Sequence, residues 1–543
     1  MDAIETVLAM LLAVVASAYL VRLLPVGVPL PLVQIGLGFL IAALSTHGIA
    51  LDPEFFFLLF LPPLLFLDGW RIPKTGLLRD KAVILELAFG LVIFTVIGAG
   101  LLIHLLIPAM PLAVAFALAA IVSPTDPIAV SAIASRTPIP KRLMHILEGE
   151  SLLNDASGLV CFRFAVLAAV TGKFSLTSAT LTFVWLVVGG ISMGVTVTAA
   201  ITWTQRWLTR HFGEPPGSPI LVNLLMPFGA YLAAEHVHAS GILAAVAAGV
   251  AMSYVELSGH AHAATRIQRS AVWDTVQFSL NGVMFVLLGE QLPHILKGAK
   301  ASLEDVGHVN SWWLVLYAFA ISLGLMALRF IWVWATLRLT LYKKSRAGEA
   351  AERPHWRLLL ATSLAGVRGA ITLAGVMTLP LVLDNGQEFP ARDLTIFLAS
   401  AVILISLAVA SIGLPRLLNG MDFPEEPHEQ QEEDRAREVA ANAAIAAIER
   451  AQIDLMSTSL EPDVYPQAAS RVIALYKHRL VEYAEHDEGR RYRKMDNAEK
   501  ELRMAALAAE RKAIYNLARH GHISDEISRK LVREVDLSEA RFR

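Results

Sequence analysis

Thirteen stretches of this chain are apolar enough and long enough to cross a lipid bilayer. A spanning helix needs about 20 mostly apolar residues for a hydrocarbon core roughly 30 Å thick. The stretches run over 4–23, 29–46, 54–69, 82–107, 111–134, 144–171, 179–206, 218–236, 238–255, 271–296, 311–341, 357–380 and 393–418. In hydrocarbon every backbone N–H and C=O must find its partner within the protein, which makes helix the form for such runs. Composition agrees: of 543 residues 55% are hydrophobic and 17% charged, with mean hydropathy +0.54. A formal net charge of -2 offers no basic field for nucleic acid, and the lone Cys161 makes neither an intrachain disulfide nor a zinc site. The chain reads as an all-α polytopic membrane protein with no nucleic-acid partner.

Charge sets the expected direction of threading. Loops after odd-numbered stretches carry most of the arginine and lysine, among them Arg71, Lys74, Arg79, Arg206, Arg210, Arg266 and Arg269. Loops after even-numbered stretches hold little beyond Lys173, Lys297, Lys300 and Arg392. The N-terminus is therefore expected outside and the C-terminus in the cytoplasm. Asp2 and Glu5 precede the first apolar run where a cleavable signal would be basic, so no such signal is expected. After Pro424 an acidic run, PEEPHEQQEEDRAR, opens Ala-rich segments whose apolar residues recur at helical spacing amid dense mixed charge. Residues 1–420 thus form the transmembrane domain. Residues 421–543 form a cytosolic, mainly helical domain, with regulation as a candidate role.

Ionisable residues inside a span cost roughly 2.5–3.5 kcal/mol each near its centre and call for a reason. Glu86, Asp274 and Arg329 are read as residues near span ends or isolated, reaching for the headgroups. Arg163, set among Val160, Phe162 and Phe164, is either a buried structural cation or part of a path. The densest cluster is Glu148-Gly149-Glu150-Ser151-Leu152-Leu153-Asn154-Asp155 on the sixth stretch. Positions four apart share a helix face. Ser151 and Asp155 therefore offer hard oxygen ligands for a small cation on one face. Glu150 and Asn154 offer a carboxylate and an amide on the next, suited to holding a cationic side chain.

Two further clusters break helices. In Ser123-Pro124-Thr125-Asp126-Pro127 the prolines remove backbone donors and disfavour helix before them, so the fifth stretch should unwind at mid-membrane. Unwound backbone survives there only where buried or lining a cavity, and its carbonyls can meet a cation. In Gly366-Val367-Arg368-Gly369 glycines flank a charge that needs a carboxylate, and Glu150 is the expected partner. The two breaks lie seven stretches apart, as inverted repeats would place them.

Together these motifs resemble the monovalent cation/proton antiporter family of sodium/proton exchangers, in the NhaP-like and NHE-like branch with an Asn-Asp pair. FLPPLLFLDGW, SPTDPIAV, GESLLNDA and GVRGAI occur in the family's order, and YLAAEHVHASGILAAVAAGV is similar to its stretch across spans eight and nine. The resemblance covers about residues 1–420 and does not extend to the tail. It implies about 13 transmembrane helices in inverted repeats with two broken crossing helices, and a homodimer in the plasma membrane. By resemblance Asp155 binds cation and proton in turn, with Ser151, the Thr125 carbonyl and Asp126 around the sodium ion. Asn154 matches the first residue of the pair, Glu150 and Arg368 the family's salt bridge, and Asp68 an acidic position on the third span. Glu235 and His238 match a pattern tied to access. The Asn at 154 resembles the electroneutral type, one sodium, lithium or potassium ion per proton, and no cofactor or enzyme chemistry is implied. A transporter-like sensor signalling through the tail is the alternative reading. A channel and an intramembrane aspartyl protease fit the motifs less well, since no filter and no Gly-x-Gly-Asp context is present.

Overall fold

The computed structural model describes residues 2–540 except 25–27, 45–52, 73, 75–79, 128–129, 131–140, 173–175, 214, 216, 258–262, 306–309, 311, 347–355, 384–385, 420, 422–426, 459–462, 483–486 and 521. The chain divides into two compact units, Met1–Met421 and Asp422–Arg543.

In the first unit helices lie over every apolar stretch. They are α1 (Asp2–Leu23), α2 (Leu30–Leu44), α3 (Pro53–Arg71), α4 (Lys81–Leu106), α5 (Leu112–Ile121), α6 (Lys141–Thr171) and α7 (Leu176–Phe212). There follow α8 (Ser218–His236), α9 (Gly241–Leu257), α10 (Ala263–Asp305), α11 (Trp312–Arg346), α12 (Trp356–Leu364), α13 (Ala370–Met377) and α14 (Arg392–Leu418). Among the described residues six of these are long and apolar enough to cross a membrane by themselves: α4, α6, α7, α10, α11 and α14. The third stretch, with Pro62 and Pro63, forms one continuous helix.

The helices sort into two groups by their contacts. α2 packs on α10, α3 on α9, and α9 on α7, forming a scaffold. Glycines let the backbones touch there. A Cβ on Gly38 would strike the Val286 carbonyl, and one on Gly289 the Ile35 carbonyl, so α2 and α10 each bring a glycine to the same crossing. In the other group α5 packs on α4 and α6, while α14 meets α11, α12 and α13. α4 is interrupted by a π turn at Glu86–Leu91. Such a turn frees a carbonyl from the helical ladder, and the Ser157 hydroxyl of α6 donates to Ala88 O at 2.7 Å.

Exposed helix surfaces are apolar, as a membrane protein requires. On α7 Leu181, Val184, Trp185, Val188 and Trp203 are exposed. The second unit comprises α15 (Pro427–Thr458), α16 (Val464–Glu482), α17 (Asp487–Arg519) and α18 (Asp525–Ala540). Its small core joins Ile514 to Val532 and Val535, beside Arg511 paired with Asp536 and Glu539.

Candidate ion-binding site

The site begins where two helices stop. α5 ends at Ile121, and Val122–Asp126 leave the helix before Pro127. α12 ends at Leu364, and Gly366–Gly369 run without helix until α13 begins at Ala370. The two breaks cross and complete one another. Asp126 N–H donates to Val367 O at 2.7 Å, and Arg368 Nε donates to Val122 O at 2.8 Å. Arg368 Nη1 donates to Gly366 O, and the Arg368 backbone N–H donates to Ser406 Oγ at 3.1 Å. One guanidinium thus serves carbonyls of both broken strands, the ends where a helix presents its partial negative charge. The crossing is too close for a side chain at 369, because a Cβ there would strike the Asp126 carboxylate.

The Arg368–Glu150 pairing expected from the sequence is not the one formed. Glu150 is fully buried, and its carboxylate is held by Arg329 of α11 through both forks, Nη1–Oε1 at 2.5 Å and Nη2–Oε2 at 2.7 Å. Arg329 Nε also donates to Thr362 O at 3.1 Å, in the last turn of α12. The parallel N–H donors of a guanidinium match a carboxylate bidentately. Reading Arg329 as a residue reaching for headgroups was therefore wrong: it is 2% exposed. Asp274 is exposed as expected, and pairs with Arg71 at 2.5 Å.

Around this pair lies a side-chain network. Thr125 Oγ1 donates to Glu150 Oε1 at 3.3 Å, and Asn154 Nδ2 donates to Thr125 Oγ1 at 3.0 Å and to Glu150 Oε1 at 3.5 Å. Among the described residues Asn154 Oδ1 and Ser123 Oγ are buried without a hydrogen-bond partner. α6 therefore presents the two faces its sequence suggested, with Glu150 and Asn154 locked into the crossing.

The other face holds Ser151 and Asp155, 4% and 3% exposed. They border a small cavity of about 20 Å³ together with Asp68, Thr125, Asp126 and Asn281. A larger cavity of about 480 Å³ shares Asp68, Ser151 and Asn281 with it and extends to Glu148, Asp274 and Arg71. Further along the same face of α6 a separate cavity of about 630 Å³ is lined by Leu159, Phe162, Arg163 and Glu235. Leu159 and Phe162, 2% and 3% exposed, stand in the chain between it and Asp155. Arg163 meets Glu235 at 3.4 Å, whereas His238 is exposed with a left-handed backbone (φ 54°). Asn281 is polar without being ionisable, so the pattern of charged residues does not mark it, although an amide within FSLNGVMFVLLG does.

Two helices broken at a shared crossing, with buried carboxylates beside them, define a membrane transporter of the discontinuous-helix class. Residues 10–420 match the model of the sodium/hydrogen exchanger transmembrane family, and the chain belongs to that family. It is 40% identical to an Escherichia coli protein, the uncharacterized Na(+)/H(+) exchanger YjcE, over 99% of both chains. It is 37% identical to a sodium, potassium, lithium and rubidium/H(+) antiporter of Bacillus subtilis, over 98% of this chain and 77% of that one. The fold is similar to that of the sodium proton antiporter MjNhaP1 from Methanocaldococcus jannaschii, with a TM-score of 0.55 and 18% identity. That match covers 78% of this chain and 99% of the other.

Proposed function

We propose that the protein is a secondary antiporter exchanging a monovalent cation, sodium or lithium with potassium as a further candidate, for protons across the plasma membrane. The observation that carries this reading is Asp155, buried beside Ser151 at the crossing of two broken helices and bordering a cavity that adjoins a larger one. A carboxylate removed from water is stabilised by neutralisation, which a proton or a cation can each supply. The two therefore compete for Asp155. Either one lowers the cost of moving the site past an apolar barrier, while an empty, charged site moves slowly. Ser151, the Thr125 carbonyl and Asp126 supply further hard oxygens, and Asp68 stands on the approach.

The exchange we propose is electroneutral, one cation for one proton. Asn154 carries no charge and spends its amide on Thr125 and Glu150, and Glu150 is matched by Arg329. Alternating access would move the group containing α4–α6 and α11–α14 against the scaffold. Thirteen crossings, the N-terminus outside, a dimer built on the scaffold, a part in pH homeostasis and a regulatory tail complete the proposal. The range of cations in the name of the Bacillus subtilis relative supports keeping potassium in the set.

The test is proteoliposomes with an imposed pH gradient and a trapped pH dye, each cation added in turn with the membrane potential clamped. Cation-dependent proton movement, indifferent to the clamp and absent in Asp155→Asn, is expected. Folded protein that moves no protons with any of the three ions would hand the chain to the sensor reading.

A further inference from the structure

Two large cavities flank the small one that Asp155 borders. The cavity of about 480 Å³ shares Asp68 and Ser151 with it, whereas the cavity of about 630 Å³ shares none of its described residues. Three helices nonetheless run from the small cavity to that second one. α3 passes from Leu64 to Leu58, α6 from Asp155 to Leu159, and α13 from Thr372 to Thr378 at its end. Leu159 lies one turn beyond Asp155 on the same face, about 6 Å along the helix axis. Leu61, 0% exposed, falls between Leu58 and Leu64 on α3, and Leu159 stands so near α13 that a Cβ on Gly375 would meet it. About one helical turn of leucine therefore stops the second cavity short of Asp155.

The same cavity is lined by the ion pair of Arg163 and Glu235, 3.4 Å apart with side chains 40% and 35% exposed. Arg163 belongs to α6, one turn beyond Leu159. Glu235 belongs to α8, which packs on α7 and α9 of the scaffold. The pair thus joins the group that carries Asp155 to the scaffold, beside the leucines. On the scaffold side Glu235 is anchored, since its Oε1 accepts the N–H of Gly241, the first residue of α9, at 3.3 Å. Glu150 with Arg329 is the opposite case, a buried pair made wholly within the crossing group between α6 and α11. Parting a buried pair is strongly unfavourable, whereas a half-exposed pair biases an equilibrium by about fivefold at most and regains water when parted. The first pair is suited to staying made, the second to being made and broken.

Resting on the antiport reading above, we propose that Arg163 and Glu235 form a latch for the exchange. It holds α6 to α8 while the leucines are closed, and its release lets the cavity of about 630 Å³ reach Asp155 as the second access route. Both are positioning residues, and neither borders the small cavity where the cation is proposed to sit. Losing the latch shifts the population from the closed form toward the form open to the second cavity, by no more than the pair itself contributed.

The test uses the full-length protein with Cys161→Ala, which removes its one native thiol, and Leu159→Cys as a reporter between the cavities. The rate of labelling by a water-soluble maleimide in neutral detergent is compared with the latch intact, in Glu235→Gln, in Arg163→Gln and in the exchanged pair Arg163→Glu/Glu235→Arg. Glutamine at 235 keeps an acceptor for the Gly241 N–H and removes the charge alone. Labelling should rise about two- to fivefold in each single variant and return toward the intact rate in the exchanged pair. Melting temperatures should stay within a few degrees throughout. Unchanged labelling in the single variants, or a rise that follows falling melting temperature and persists in the exchanged pair, would overturn the latch. Sodium-driven proton movement by wild type in proteoliposomes is measured alongside. Its absence would overturn the antiport reading and with it the latch's part in exchange, whereas unchanged labelling beside normal exchange would overturn the latch alone.

Discussion

The scaffold and the crossing bundle solve the same problem, burying helices in lipid, by opposite means. In the scaffold the helices stay whole and approach through small residues, as Gly38 and Gly289 do between α2 and α10. Its polar side chains meet near the helix ends, where Arg71 pairs with Asp274 and Trp273 with Asn223. In the crossing bundle the helices are broken, and the freed groups are matched across the break by Asp126, Arg368 and Ser406. The contrast teaches that helices are opened in this fold where buried carboxylates gather. Under the proposed function the unbroken scaffold is what the opened segment would move against.

The largest effect expected is on function. Asp155→Asn should abolish exchange while the melting temperature stays within a few degrees of wild type, because the amide keeps the shape. Unfolding of that variant would mean Asp155 is structural and would erase the contrast. For the wild type, the apparent affinity for sodium should weaken as pH falls if, as proposed, proton and cation compete for Asp155. Flat sodium affinity from acid to alkaline pH would break that competition.

Stability comes next. Arg329→Ala strands a fully buried Glu150 and should cost about 3–5 kcal/mol, seen as a lowered melting temperature or yield. Adding Glu150→Gln should recover part of that loss, because the amide needs no counter-charge. Arg368→Ala removes hydrogen bonds to Val122 and Gly366 and leaves the Glu150 pair intact, so its loss should be the smaller of the two. The reverse order would show that the broken backbones, and not the ion pair, hold the bundle.

In the scaffold Gly38→Val forces α2 off the Val286 carbonyl and should cost about 1–3 kcal/mol in thermal unfolding. A neutral outcome would mean that α2 and α10 are free to separate. Asp274→Asn, at a pair 38% and 60% exposed, should cost no more than about 1 kcal/mol, and the effect should fade in high salt.

Much of this was legible in the residues. Apolar runs located the helices, and Pro124 with Pro127 marked the first break. Spacing alone divided α6 into a Ser151–Asp155 face and a Glu150–Asn154 face, because helical geometry is local. The partner of Glu150 was not legible. Arg329 and Arg368 are equally charged and equally surrounded by apolar residues, and the choice depends on which guanidinium arrives with its fork aligned. Nor did the sequence reveal that Asn281 of α10 would border the same cavity as Asp155.

What the sequence by itself determined is therefore periodic or covalent in origin: apolar length, helix faces, missing proline donors and an acidic cluster. Those properties hold whatever the rest of the chain does. What only the tertiary structure decided is which groups meet: Arg329 with Glu150, Val367 with Asp126, and Asn223 with Trp273. Such pairings join residues far apart in the chain. They depend on how whole helices cross, and a shift of one helix by a single turn, about 5.4 Å, would exchange one partner for another.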